Sequence, residues 1–270
     1  MPRHYAPRFD TQKSAAHNAG VFRKREDASP MYLLKFPAHP GTYFYSDADI
    51  HRADNFITVL DCLMTLFDRY VPGIPGQPLN IKIERSADSP ACFRNLKEIH
   101  LNTELQYVSQ AAYQFSHELC HMRIPFFVGE NLRWFEESVC ETASHFFLRK
   151  LANELSDEKY ADHPALMRYA PKFSEYSARV LDGAKEVDLT SKLQMRRFTL
   201  NCYLRDENLY VAKLLLPIFE KNPGLWEAVL YLGHVPSGFC VTDSLEIWKT
   251  TARREESAIE EIRSLFLSSL

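Results

Sequence analysis

No stretch of this 270-residue chain approaches the roughly 18 uninterrupted apolar residues of a membrane-spanning helix, so no membrane partner is expected. The first residues lack the continuous apolar core of an export signal, and the expected location is cytoplasmic. Cys62, Cys92, Cys120, Cys140, Cys202 and Cys240 show no paired spacing; without an export signal they read as reduced thiols, not as a disulfide framework. A net charge of only -3, with Lys and Arg spread along the chain, gives no electrostatic case for nucleic acid. There is no internal repeat and no low-complexity tract. What is present is 46% hydrophobic content, enough at this length to bury a full core in one large domain or in two subdomains sharing a cleft.

Residues 1–30 are polar and aperiodic, which predicts a flexible N-terminal arm. Met31 to Phe36 and Thr42 to Tyr45 read as strands. Asp47 to Tyr70 reads as an amphipathic helix carrying Ile57, Leu60, Leu63, Met64 and Phe67, stopped by Val71-Pro72-Gly73. Leu79 to Glu84 and Glu98 to Asn102 alternate as half-buried strands, the second running directly into a helix over Leu105 to Met122 that Pro125 ends. From Trp134 onward the pattern is mainly helical, with breaks expected at His163-Pro164, Pro171, Gly183, Pro223-Gly224 and Pro236-Ser237-Gly238. The fold class implied is α+β: a small mixed sheet packed on the 105–122 helix in an upper subdomain (31–130), and a mainly helical lower subdomain (131–270), with a cleft between them.

One motif stands out. Residues 117 to 121 read His-Glu-Leu-Cys-His. On a helix His117 and His121 are one turn apart on one face, so two imidazoles can reach one tetrahedral metal while Glu118 projects beside them. The helix also carries an apolar stripe of Val108, Ala112, Phe115, Leu119 and Met122, and His117 lies some 200 degrees around the axis from Phe115. The histidines therefore fall on a separate polar line with Gln110, Tyr113 and Gln114. Cys120 and Cys140, although inside or near the motif, read as small packing residues. Two histidines leave a zinc ion short of ligands, and the third must come from elsewhere. A metzincin continuation needs a glycine and a histidine where Ile124 and Phe127 stand, and no aspartate motif follows; a glutamate on the next helix remains.

Trp134-Phe135-Glu136-Glu137-Ser138-Val139-Cys140-Glu141 resembles the glutamate helix of the gluzincin metallopeptidases, with Ser138 and Cys140 as small-for-small exchanges. The resemblance implies a zincin-like fold and Glu137 as the third ligand of a Zn2+ ion. Glu141 falls where the family places an acidic residue that hydrogen-bonds the first histidine. The two glutamates can exchange roles under other family spacings, and His145 stays open as an accessory. Family members carry a tyrosine at the start of a later helix that donates to the developing oxyanion; Tyr210 is the candidate, ahead of Tyr203 and His234. The strand at Glu98 to Asn102 would form the cleft rim, its free edge pairing with an extended peptide. No Gly-rich motif of the aminopeptidase branch is present.

These parts imply a zinc-dependent hydrolase acting on amide bonds of a peptide or protein substrate, with Glu118 taking the proton from a water on the zinc. Two other classes stay open: a zincin-fold regulator or interaction protein with a structural metal, and a helical partner-binding protein in which the histidine pattern is accidental. Oligomeric state is not readable from the residues.

Overall fold

A computed structural model describes residues 32–46, 50–73, 77–157 and 164–267; the expected arm at 1–30 lies outside them. Strands β1 (Tyr32–Lys35), β2 (Thr42–Ser46), β3 (Leu79–Ile83), β4 (Ala91–Phe93) and β5 (Glu98–Leu101) form one sheet in the order β1-β2-β3-β5-β4. The inner pairs β2/β3 and β3/β5 are parallel, and the outer pairs β1/β2 and β4/β5 are antiparallel. Alternation decides which face is covered. Phe44, Ile81 and Ile99 align across three neighbouring strands and are fully buried, while Tyr43, Asn80 and Glu98, one step along each, are only partly so.

Helix α1 (Ile50–Tyr70) makes the crossover from β2 to β3 and buries Ile57, Leu60, Leu63, Met64 and Phe67, the residues its periodicity singled out. Its Phe67 ring stacks on Phe147 at 3.6 Å. Helix α2 (Val108–Arg123) buries Val108, Ala112, Phe115 and Leu119. It stops at Ile124, which is extended as a residue before proline should be. Six residues separate α2 from β5, where a direct run was expected. That loop is tied down by the side-chain amides of Gln110 and Gln114, both donating to the Asn102 carbonyl, at 3.3 and 2.9 Å.

Helix α3 (Arg133–Leu155) runs through the centre and is buried on nearly every side, against α1, α2, α4 (Pro164–Asp182) and α6 (Arg205–Lys221). Its polar residues are therefore under strict obligation to find partners. Ser138 and Thr142 donate to carbonyls one turn back, and Ser144 reaches across to the Tyr113 carbonyl at 3.0 Å. Helices α5 (Lys192–Leu200), α7 (Leu225–Ala228), α8 (Val241–Ala252) and α9 (Glu256–Ser264) complete the lower half. One contiguous core runs from Leu34 to Phe266 through both halves.

The structure departs from the sequence expectations at further points of the fold. Pro171 does not break a helix; it lies inside α4 on the exposed side, where water can take up the carbonyl its ring leaves free. β4 was not anticipated, because three residues of intermediate or high exposure carry no readable alternation. As a result the sheet edge beside α2 belongs to β4 and not to β5, which is paired on both sides.

The β1–β2 hairpin is pinned to α1 by His39, whose Nδ1 and Nε2 meet Asp61 and Asp68 at 2.5 and 3.2 Å. Burial acts to lower its pKa, but the two carboxylates outweigh burial and raise it to about 9. A folded value above the unfolded value of about 6.5 means the contribution is complete below pH 6.5 and is lost as pH rises through 9. Thermal melting should therefore show a stability loss between pH 7 and pH 10 that a His39→Gln variant, already weaker at pH 7, lacks in part; parallel pH profiles for both proteins would refute this role.

Candidate metal centre

The centre is built by two helices joined through a short loop. On α2, His117 and His121 are four residues apart and share a face; on α3, Glu137 and Glu141 do the same, with Glu136 turned about 100 degrees aside. The packed helices bring these faces together. His117 Nε2 lies 3.3 Å from one oxygen of Glu137, and His121 Nε2 lies 3.5 Å from the other. One atom from each of the three side chains lies within 4.8 Å of the other two. A tetrahedral ion with bonds of about 2.0–2.1 Å has ligand–ligand edges of about 3.3 Å, so the three donors are spaced to hold a metal ion.

The far side of each imidazole is equally informative. His117 Nδ1 faces Glu141 Oε2 at 3.4 Å, and His121 Nδ1 faces Glu136 Oε1 at 2.8 Å. Both Nδ1 atoms thus face carboxylates, which leaves both Nε2 atoms directed at the point that Glu137 also faces. Glu136 is in turn held by the guanidinium of Arg94, from the turn after β4, which also donates to the Phe126 carbonyl at 3.1 Å.

Charge follows the same geometry. Burial acts to lower His117, but Glu137 and Glu141 raise it to about 10. His121 is pushed well up by Glu137 and Glu136 against the same burial. Glu137 is held far below the usual carboxylate range: burial opposes ionisation, yet the two histidines prevail. Glu118 differs. Burial raises its pKa, Glu137 adds to that, and the histidines only partly offset it. Among the described residues its carboxylate has no hydrogen-bond or ion-pair partner.

Other sequence candidates fall in different places. Glu141 sits behind His117 and is not in the converging set. His145 is fully buried, its Nδ1 3.0 Å from Ser177 Oγ. Tyr210 is not brought to the cluster. Asn208 turns toward α3 to meet Ser138, and Tyr210, two residues on and some 200 degrees around α6, faces a surface hollow lined by Glu186, Asp188 and Leu214. His234 lies against the Phe126 ring, 4.8 Å away. Tyr203 lies in the loop before α6; burial raises its pKa, and Cys202 and Glu137 add to that while His121 partly offsets it. Two residues were missed by sequence reasoning. Glu136, adjacent to Glu137, reads as an ordinary charged position, and Arg94 is distant in sequence with no motif around it. No family model, curated protein or solved structure matches the chain.

Because protons and a cation compete for the same two nitrogens, affinity for a divalent ion should rise with pH through the neutral range, about tenfold per pH unit for each proton displaced. Chelator competition at pH 6.5 and 8.5 measures this, and an affinity that ignores pH would count against binding at the imidazoles. Glu136→Gln and Arg94→Ala should each weaken binding by roughly 10-fold or more, the usual cost of losing a group behind a ligating histidine. Equal affinity in both variants would remove Glu136 from the centre.

Proposed function

We propose that the chain is a zinc-dependent hydrolase of amide bonds in peptides or proteins, of gluzincin type and zincin-like fold. The reading is carried by one observation: both imidazoles turn Nε2 toward Glu137 while their Nδ1 atoms are occupied by Glu141 and Glu136. A chance pair of histidines has no reason for that symmetry. Zinc suits a set of two nitrogens and one carboxylate that leaves a fourth position open.

A zinc ion held there supplies Lewis acidity, bringing the pKa of a water to about 7 and polarising a carbonyl oxygen. The remaining work belongs to the protein. Glu118, next to His117 but outside the converging set, accepts the proton of the attacking water and passes it to the leaving amine. Its raised pKa favours a carboxylate that can both take and return a proton. Tyr203 Oη is taken as the donor to the oxyanion in place of Tyr210, and the influence of Glu137 and His121 on its hydroxyl supports that choice. The free edge of β4 offers backbone groups to an extended substrate, since β4 pairs only with β5 among the described residues. Arg94 joins that edge to Glu136, so substrate rim and metal centre share one support.

A fluorogenic peptide library incubated with the zinc-loaded protein should be cleaved internally or at an end. Glu118→Gln should retain zinc and lose about 10²–10⁴-fold in kcat. Tyr203→Phe should lose roughly 10²-fold in kcat with little change in KM. Undiminished turnover by Glu118→Gln, or no cleavage by protein carrying one zinc per chain, would overturn the reading.

A further inference from the structure

The two oxygens of Glu141 have different neighbours. Oε2 faces His117 Nδ1 at 3.4 Å. Oε1 accepts a hydrogen bond from the Tyr113 hydroxyl and lies 3.7 Å from His145 Nε2. The other nitrogen of His145 meets Ser177 Oγ on α4 at 3.0 Å. A serine hydroxyl that donates to Nδ1 leaves the imidazole proton on Nε2, which lies nearest Glu141 but at 3.7 Å is beyond full hydrogen-bond distance. Arg205, at the start of α6, adds a positive charge within range of Glu141 and Tyr113.

This arrangement is expensive to bury. His145 and Ser177 are 0% exposed, Tyr113 is 3% and Glu141 is 6%. Burying such groups costs several kcal/mol each unless they are paired, and apolar side chains of similar volume would join α2, α3 and α4 at least as well. The polar groups are arranged in sequence outward from a single atom, His117 Nδ1. Tyr113 lies one turn before His117 on α2, and His145 lies one turn after Glu141 on α3, so the carboxylate is gripped from both helices that supply the metal donors.

We propose that Tyr113 and His145 are positioning residues for the metal centre: acting through Glu141, they fix the ring orientation and donor strength of His117, and Ser177 holds His145 in the tautomer this requires. The inference rests on the metal reading given above. It also accounts for His145 without making it a ligand, because Nδ1 meets Ser177 and Nε2 is turned toward Glu141, and His145 is not in the set where His117, His121 and Glu137 converge. Burial and the Glu141 charge both push the Tyr113 phenol up, which favours the protonated form that donates to Glu141.

The experiment measures zinc affinity by chelator competition and the cobalt(II) absorption spectrum of the substituted protein, for wild type, Glu137→Gln, Tyr113→Phe, Ser177→Ala, Glu141→Gln and the Tyr113→Phe/Glu141→Gln double variant. Tyr113→Phe should bind zinc about tenfold more weakly and shift the cobalt bands. Ser177→Ala, which leaves the ring packing intact, should weaken binding in the same direction. Adding Tyr113→Phe to Glu141→Gln should cost less than about twofold, because the route through Glu141 is already cut. If wild type binds zinc no more tightly than Glu137→Gln, the metal reading and this proposal fall together. If wild type binds tightly and Tyr113→Phe matches it in affinity and spectrum, the metal reading stands and the proposal alone is overturned; a full additional loss in the double variant has the same effect.

Discussion

The structure depends on how two half-buried imidazoles are satisfied. A histidine in a protein interior has two nitrogens and must find a partner for each, or bear a desolvation cost of about 1–3 kcal/mol. Here each ring has a carboxylate on Nδ1, from Glu141 for His117 and from Glu136 for His121, and both Nε2 atoms are then left to face Glu137. The convergence of three donors follows from the occupation of the opposite sides. Position alone, two histidines one turn apart, would allow either ring to turn away.

Why α3 can impose this is a matter of packing. It touches helices on several sides and buries Trp134, Phe135, Val139, Phe146 and Phe147 essentially completely, so it has no freedom to slide or roll. Three glutamates within six residues of such a helix each need a polar partner. Arg94 meets Glu136, the two imidazoles meet Glu137, and His117 with the Tyr113 hydroxyl meets Glu141. Removing one member of a buried pair commonly costs about 3–5 kcal/mol, because the other charge stays behind. The centre is thus coupled to the fold: the same contacts that orient the rings hold the β4–β5 turn, α2, α3 and α4 in place. That coupling is also what the proposed hydrolysis requires, since a metal acts on a substrate carbonyl only if its donors do not relax around it.

Much of this is legible in the sequence. The apolar periodicity of α1 and α2 marked their buried faces because a helix repeats every 3.6 residues whatever it packs against, and Ile124-Pro125 marked the end of α2 by a local clash. Local rules failed where the outcome was set from outside the segment. Pro171 is tolerated because its side of α4 is wet, which depends on what covers the helix. β4 has only three residues and exists because β5 offers it a free edge. Tyr210 lies at the beginning of an apolar helix, as a resemblance to known metallopeptidases led one to expect, but the rotation of α6 about its axis is decided by Asn208 and the apolar residues packing on α3.

Sequence by itself determined the chemistry that could be assembled: His117, Glu118 and His121 at helical spacing, and a helix bearing Glu136, Glu137 and Glu141 soon after. Those are consequences of covalent order and of the 100-degree step between residues. Tertiary structure alone decided which glutamate faces both Nε2 atoms and which stand behind the rings, that Arg94 reaches the centre from a strand turn, and that Tyr210 faces a hollow away from it. The reason is physical. Spacing along a chain sets angles around one helix axis, whereas distances between atoms on different helices are set by the side chains wedged between them, and no local rule contains those.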